Sequence, residues 1–186
     1  MKKSKGFIFL GILILTGCSS FQVERRKLAY LERTPLSLRV KVVDVCQGLK
    51  DFKESVCLLP CSVFQMIKQW AESSFQPNGH VGRLQIQVEE IEVVEKKIEE
   101  EDSANPVKSR CPEQYCGKIR ITLKIINQGT GQDKTISQIT VLEKRPSPSN
   151  HTVRQRRILV TQLVEDMIER LDHEVINFLK IEGYLI

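Results

Sequence analysis

A helical pattern near the end of the chain constrains the fold most strongly. From Val153 to Ile181, apolar residues recur every three or four positions and form one stripe: Val160, Val164, Met167, Leu171, Val175 and Phe178. A helix with a single apolar stripe must pack on a second layer of structure. Gly183 follows as a typical C-terminal cap. The arginines within 154–157 oppose the helix dipole, so they are either solvated or precede the true start of the helix.

Four alternating segments predict the second layer. Apolar and polar residues alternate over 36–42, 84–93, 119–125 and 134–142, which is the pattern of strands with one buried face. In the second segment the apolar phase slips between Val88 and Ile91. Keeping both residues on the buried face requires a β-bulge near Glu89 and Glu90.

A shorter helix is predicted between the first two strands, over 60–75. Pro60 suits an early helical position, and Ser62 is the expected N-cap. The helix carries an apolar stripe and is followed by the turn sequence of residues 76–79. Charged or turn-forming residues predict loops over 95–106, 127–133 and 146–150.

The element order is therefore β-α-β-β-β-α, which predicts an α+β fold in residues 36–186. We expect a two-layer sandwich in which two helices pack on a mostly antiparallel four-stranded sheet. The first helix provides enough chain for a crossover, and the later strands should form a meander.

The N-terminus has the layout of an export signal. Lys2, Lys3 and Lys5 precede nine residues, from Phe7 to Leu15, that are apolar apart from Gly11. A membrane-spanning helix needs about 20 apolar residues, so this run is too short to cross a bilayer. Small residues then lead to Cys18 in the order Leu-Thr-Gly-Cys.

Residues 15–18 resemble the lipobox of bacterial lipoproteins. The resemblance implies a signal peptide over 1–17 and a membrane-bound protein whose Cys18 carries a diacylglyceryl thioether and an N-acyl chain, so palmitate should label it. Residues 18–35 would be the lipid anchor and tether, and 36–186 a periplasmic domain. Ser19 stands where Asp favours inner-membrane retention in enteric-type lipoproteins, so the outer membrane is expected rather than the inner.

The net charge does not indicate a nucleic-acid partner. The whole chain has a formal charge of +5, but Lys2, Lys3 and Lys5 belong to the predicted signal, which leaves +2. Three further basic residues lie at 25–27 in the tether. They either rest on anionic lipid head groups or form a solvated cluster.

Five cysteines remain in the predicted periplasmic chain, where disulfide bonds can form. They are Cys46, Cys57, Cys61, Cys111 and Cys116. Cys111 and Cys116 form the best local pair, and a bridge from Cys46 to Cys57 or Cys61 would close the crossover loop. The odd number leaves one thiol unpaired or paired between molecules. A zinc site built from Cys57, Cys61, Cys111 and Cys116 is the alternative, but these spacings are wider than those of common zinc ribbons.

No set of catalytic residues stands out, and the sequence predicts neither a metal site nor a cofactor. His80, His151 and His173 have no nearby nucleophile and acid in a catalytic order, and exposed histidines are expected. Gly129 and Gly131 lack the Lys-Ser/Thr of a phosphate-binding loop. Cys57 and Cys61 precede a helix, so a thiol-dependent enzyme or redox factor is the alternative function.

As an architecture, residues 36–181 behind a lipobox resemble small auxiliary or assembly lipoproteins of envelope lipid and lipopolysaccharide transport. They also resemble uncharacterised proteobacterial lipoproteins of similar length. No residue except Cys18 carries over from these families, and Ser19-Ser20-Phe21 departs from the glycine and phenylalanine of the assembly lipoprotein. The resemblance implies a non-enzymatic accessory protein that binds a partner protein or a lipid. A structural protein that connects the membrane to another envelope layer is a third alternative.

Overall fold

The computed structural model describes residues 28–48, 59, 61–97, 113–126, 133–147 and 151–186. Within these ranges the chain forms three helices and six strands. In chain order they are α1 (Ala29–Glu32), β1 (Leu36–Leu38), β2 (Val42–Gln47), α2 (Val63–Ser74), β3 (Phe75–Pro77), β4 (Arg83–Lys97), β5 (Glu113–Ile126), β6 (Asp133–Ser147) and α3 (Val153–Ile181).

The main sheet has four strands in the order β2-β4-β5-β6. β2 runs parallel to β4, and α2 supplies the crossover between them. β4, β5 and β6 form an antiparallel meander. The predicted α+β class and the mostly antiparallel four-stranded sheet are therefore confirmed.

One face of this sheet forms the floor of the core. Alternate residues of β4 and β5 are fully buried there, from Leu84 to Val93 and from Ile119 to Ile125. α2 packs over β2 and β4, whereas α3 packs over β5 and β6. The opposite face is more exposed, and there Glu90 forms ion pairs with Lys118 and Arg120. The helices thus cover one face only, as in a two-layer sandwich.

α3 has the bounds that its sequence pattern predicts. Thr152 caps it through a capping box with Gln155, and Gly183 follows its end at a φ of 75°. Of the predicted stripe, all positions are buried except Phe178, which is partly buried. Because the helix begins at Val153, the three arginines lie in its first turns.

The predictions for α2 and for the bulge are also confirmed. The Ser62 hydroxyl accepts a hydrogen bond from the Gln65 backbone N–H at 3.2 Å and caps α2. Phe75 leaves the helix and starts β3, a strand that the sequence did not predict. The pairing of β4 with β5 shifts register between Val88 and Glu90, where the apolar phase slips.

The single strand predicted over 36–42 is wrong, because the chain bends at 39–41 and forms two strands. β1 pairs with β3, and β2 joins the main sheet. Backbone groups of the bend bond to the 79–82 turn instead: Gly79 N–H donates to Val40 O at 2.9 Å, and Lys41 N–H donates to Gly82 O at 3.0 Å. Leu38 and Val40 are nonetheless both buried, so the alternation holds while the pairing partner changes.

Several boundaries extend beyond the predicted ones. Residues 28–33 contain α1 and contribute Leu28 and Tyr30 to the core, although the sequence placed them in the tether. β4 continues to Lys97, and β5 begins at Glu113, so the pair forms a long ribbon. In the described part of the chain, no helix has the length and apolar character needed to cross a membrane.

Candidate functional site

α3 organises the potential sites because it contacts α1 and α2 on one side and the sheet on the other. On the helical side, Asp172 is buried and binds two partners. Arg33 donates to both carboxylate oxygens at 2.9 Å, and Trp70 Nε1–H donates to Oδ1 at 2.9 Å. This network joins the segment after α1 to both long helices, and its place in the interior gives it a structural role.

On the sheet side, α3 reaches the outer edge of β6. Arg170 Nη1 donates to the Leu142 carbonyl at 3.1 Å and to Glu143 Oε1 at 2.7 Å. In an antiparallel strand, the N–H and C=O of one residue point to the same side of the strand. The N–H and C=O of the next residue point to the other side. The Leu142 carbonyl faces away from β5, so the backbone groups of Thr140 and Gln138 also point outward.

An open groove of about 470 Å³ lies between this edge and the C-terminal half of α3. Residues 137–141 of β6 form one wall, and Phe178 and Ile181 of α3 form the other. Ile139 and Phe178 are partly buried, and Ile181 is 83% exposed. Arg170, Glu174 and Asn177 of α3 also line the groove, so a largely polar surface with apolar contacts at Phe178 and Ile181 lies beside the outward-facing backbone groups.

The rest of this edge is protected against strand pairing. Arg170 covers the backbone at Leu142, and a charged or proline residue occupies each position from 143 to 146. Proteins use such residues to blunt edge strands. Residues 137–141, Ser-Gln-Ile-Thr-Val, contain neither charge nor proline. The groove therefore coincides with the unprotected part of β6.

The opposite edge of the sheet is different. β2 has six residues, and its outer side forms a slot of about 440 Å³ with α2, lined by Val43, Val45, Ala71 and Phe75 among others. Arg83 forms an ion pair at 3.1 Å with Asp44, which stands at the rim of the slot. Asp44, Lys68 and Glu72 also line the slot, and the parallel strand beside it is too short to align a long segment.

The predicted cysteine sites are only partly within the described residues. Cys46 lies in β2, Cys61 stands directly before the Ser62 cap of α2, and all three described thiols, including that of Cys116, are unbridged and partly buried. Cys116 lies inside β5 rather than in the loop before it, because β5 begins at Glu113. Cys18, Cys57 and Cys111 lie outside the described residues. The lipid attachment and the disulfide pairs therefore remain predictions.

Three side chains in the described residues have a raised pKa, which favours their protonated forms. Burial, followed by the charges of Glu165, Asp172 and Glu169, raises the pKa of Tyr30 to about 12. Burial also raises the pKa of Tyr115 and of the Cys46 thiol, with Asp44 adding to the effect at Cys46. A raised pKa reduces the thiolate or phenolate fraction at neutral pH, so these groups are poorer nucleophiles than their free counterparts.

The described residues do not bring together a metal-binding cluster. Across the described ranges, no group of three or more His, Cys, Asp and Glu side chains could hold a metal ion. Two of the four cysteines of the zinc alternative, Cys57 and Cys111, fall outside those ranges. His80 and His173 are exposed, as expected, whereas His151 is partly buried before the α3 cap.

The groove beside β6 was not predicted from the sequence. One signal for it was available, because the last strand of a predicted meander must lie at an edge of the sheet. The position of α3 over that edge, with Arg170 at Leu142, has no local sequence signal because the two residues are 28 positions apart.

Comparisons with known proteins identify structural neighbours only. No family model matches the chain, and no curated protein sequence matches it. A minor lipoprotein from Acinetobacter baumannii aligns with 79% of this chain and 96% of its own, at 11% identity and a TM-score of 0.43. Rare lipoprotein B from Shewanella oneidensis aligns with 76% of this chain and 96% of its own, at 10% identity and a TM-score of 0.43. An uncharacterized lipoprotein B from Nitrosomonas europaea aligns with 77% of this chain and 87% of its own, at 8% identity and a TM-score of 0.41. All three neighbours are bacterial lipoproteins by name.

Proposed function

We propose that this chain is a non-enzymatic accessory lipoprotein of the bacterial envelope, anchored through Cys18, whose domain binds a partner protein. The anchor is supported by the lipobox-like residues 15–18 behind an apolar run. By the residue at position 19, the outer membrane is the proposed location. The domain faces the periplasm in this proposal.

One observation carries the partner-binding part of the proposal. The unprotected stretch Ser137–Val141 places outward-facing backbone groups beside a groove of mixed character, in which Phe178 and Ile181 provide apolar contacts among polar side chains. An extended segment can add to such an edge, because main-chain hydrogen bonds supply affinity and adjacent pockets select side chains. The proposed partner therefore contributes an extended segment with apolar side chains that lie against Phe178 and Ile181.

Metabolic labelling tests the anchor. We expect radiolabelled palmitate to be incorporated into the wild-type protein and lost in the Cys18→Ala variant. Equal labelling of both proteins, or none of the wild type, would contradict acylation at Cys18.

A backbone-specific variant tests the edge. Thr140→Pro removes an outward-facing N–H while leaving the hydrogen bonds of β6 to β5, because proline is tolerated at strand edges. Thr140→Val is the matched control, since it changes the same side chain but keeps the N–H.

Photo-crosslinking supplies the readout. A benzophenone amino acid at Gln138, beside the groove, should crosslink to a discrete protein in whole cells, whereas one at Gln87, on the same sheet face but two strands away from β6, should not. The crosslink should disappear in Thr140→Pro and persist in Thr140→Val, with unchanged circular dichroism in both. Crosslinking to lipid alone, or equal crosslinking in the two Thr140 variants, would reject the edge-binding role.

A further inference from the structure

A concentration of positive charge lies at one end of the domain. Residues 144–157 contain five basic and no acidic side chains. Residues 1–27 hold six of the 28 basic and one of the 23 acidic residues, so the remaining 22 of each sign leave residues 28–186 without net charge. The basic end is therefore a local feature of a neutral domain.

The fold places these side chains at one end of the domain. β6 ends at Ser147, α3 begins at Val153, and Lys144, Arg154 and Arg157 are all exposed. Lys96 is exposed at the same end, where it pairs in register with Gln114, which in turn pairs with Pro146 of β6; by strand alternation, Lys96 and Lys144 lie on the sheet face away from α3. Intramolecular carboxylates engage the other two arginines: Arg145 binds Asp166, and Arg156 lies 3.8 Å from Glu95.

The position of these cations does not stabilise α3. The N-terminus of a helix carries a partial positive charge, so Arg154 and Arg157 lie where cations are disfavoured. An external anion would turn this unfavourable arrangement into a favourable one, because the guanidinium groups and the helix N-terminus would both attract the anion.

The bilayer is within reach of this end. The described chain begins at Leu28, and Tyr30 lies near Glu165 of α3. At 1.5 Å per residue, Glu165 is about 20 Å from the Thr152 cap. Nine residues lie between Cys18 and Leu28, and the ten steps from one to the other can span up to about 35 Å. The tether is therefore long enough for the start of α3 and the acylated cysteine to meet the same membrane surface.

We propose that the exposed cations at this end of the domain, namely Arg154 and Arg157 of α3 with Lys96 and Lys144 at the end of the sheet, contact the anionic head groups of the bilayer that holds Cys18. This inference rests on the proposed anchor. The contact orients the domain, because it adds a second attachment point to the acyl chains at the other end of the tether. Lipid phosphate oxygens are the chemical partner, and guanidinium groups bind them in a bidentate manner.

Vesicle binding by the unacylated chain tests the surface independently of the anchor. The protein is residues 18–186 with Cys18→Ser, and the vesicles are phosphatidylcholine with or without about one third phosphatidylglycerol. We compare Arg154→Gln/Arg157→Gln with the matched control Lys41→Gln/Lys180→Gln, which removes two exposed charges elsewhere. Circular dichroism establishes that each variant is folded.

We expect binding to anionic vesicles only, and its loss at high salt. Each arginine near an anionic surface contributes about a fivefold change in affinity, so the double arginine variant should bind about 25-fold more weakly. The control should stay within about twofold of the parent. A further variant with residues 25–27 changed to glutamine should retain a measurable dependence on Arg154 and Arg157.

Three results would overturn the proposal. The first is that the arginine variant binds vesicles as tightly as its parent, and the second is that binding depends on residues 25–27 alone. Competition by millimolar inorganic phosphate would instead identify a site for free phosphate. Because Cys18 is unacylated throughout, failure here is distinct from failure of the palmitate labelling.

Discussion

The two sides of α3 are held by ion pairs of different character. On the side of α1 and α2, Asp172 is 7% exposed and accepts three hydrogen bonds from Arg33 and Trp70. On the side of β6, Asp166 binds Arg145, and Arg170 binds Glu143, with all four side chains at least one fifth exposed. One helix thus has a buried polar junction on one side and solvated ion pairs on the other.

The difference teaches which polar contacts are dispensable for folding. A buried carboxylate without its partners keeps its full desolvation penalty, whereas a solvated pair is largely compensated by water. The Asp172 junction therefore holds the N-terminal segment to the core, whereas the ion pairs on the β6 side can be lost at little cost. The proposed binding edge lies on that second side.

The largest expected effect separates the two aspartates directly. Asp172→Ala should lower the free energy of unfolding by about 3–5 kcal/mol, because it leaves Arg33 and Trp70 Nε1 without their acceptor. Asp166→Ala, the same change six residues earlier on the same helix, should cost about 1 kcal/mol or less. Urea denaturation measures both. Equal losses in the two variants would show that burial does not distinguish the two sides.

A smaller effect probes the packing on the sheet side. A Cβ added to Gly117 of β5 would lie 2.6 Å from Met167 Sδ and Cε and 3.3 Å from Leu163 Cδ2. Gly117→Ala should therefore destabilise the protein by about 1–3 kcal/mol through overpacking. Combining it with Met167→Val should recover part of this loss relative to the sum of the two single variants. Strict additivity of the two changes would contradict the contact.

The smallest expected effect is a dependence on pH at α1. The pKa of Tyr30 is about 12 in the fold, above the usual 10.0, so folding favours the protonated phenol. This contribution is complete below pH 10 and is lost as the pH rises from 10 to 12. At pH 11 it amounts to roughly 1 kcal/mol. In Tyr30→Phe, the free energy of unfolding should fall less steeply over this interval, and parallel profiles would refute the shift.

Local periodicity explains why α2, α3 and the bulge were predictable. Each is specified by neighbouring residues: Thr152 and Gly183 delimit α3, and the shift from Val88 to Ile91 marks the bulge. The meander also follows from chain order, because strands that follow one another in the sequence usually pair with each other.

The division of residues 36–47 into two strands could not be read in this way. Leu38 and Val40 alternate as one strand would, but hydrogen bonds to the 79–82 turn redirect the backbone. Likewise, Leu28 and Tyr30 look like parts of a tether until α2 and α3 provide a surface that buries them. Both features depend on partners distant in the chain.

The sequence by itself determined the α+β class, the bounds of α3 and the motif on which the predicted anchor rests, because each depends on residues within a few turns or strand steps. Only the tertiary structure decided that Arg33 meets Asp172 across 139 residues and that α3 leaves the outer backbone edge of residues 137–141 open. The reason is physical: periodicity specifies which face of an element is apolar, whereas packing selects the element against which that face lies.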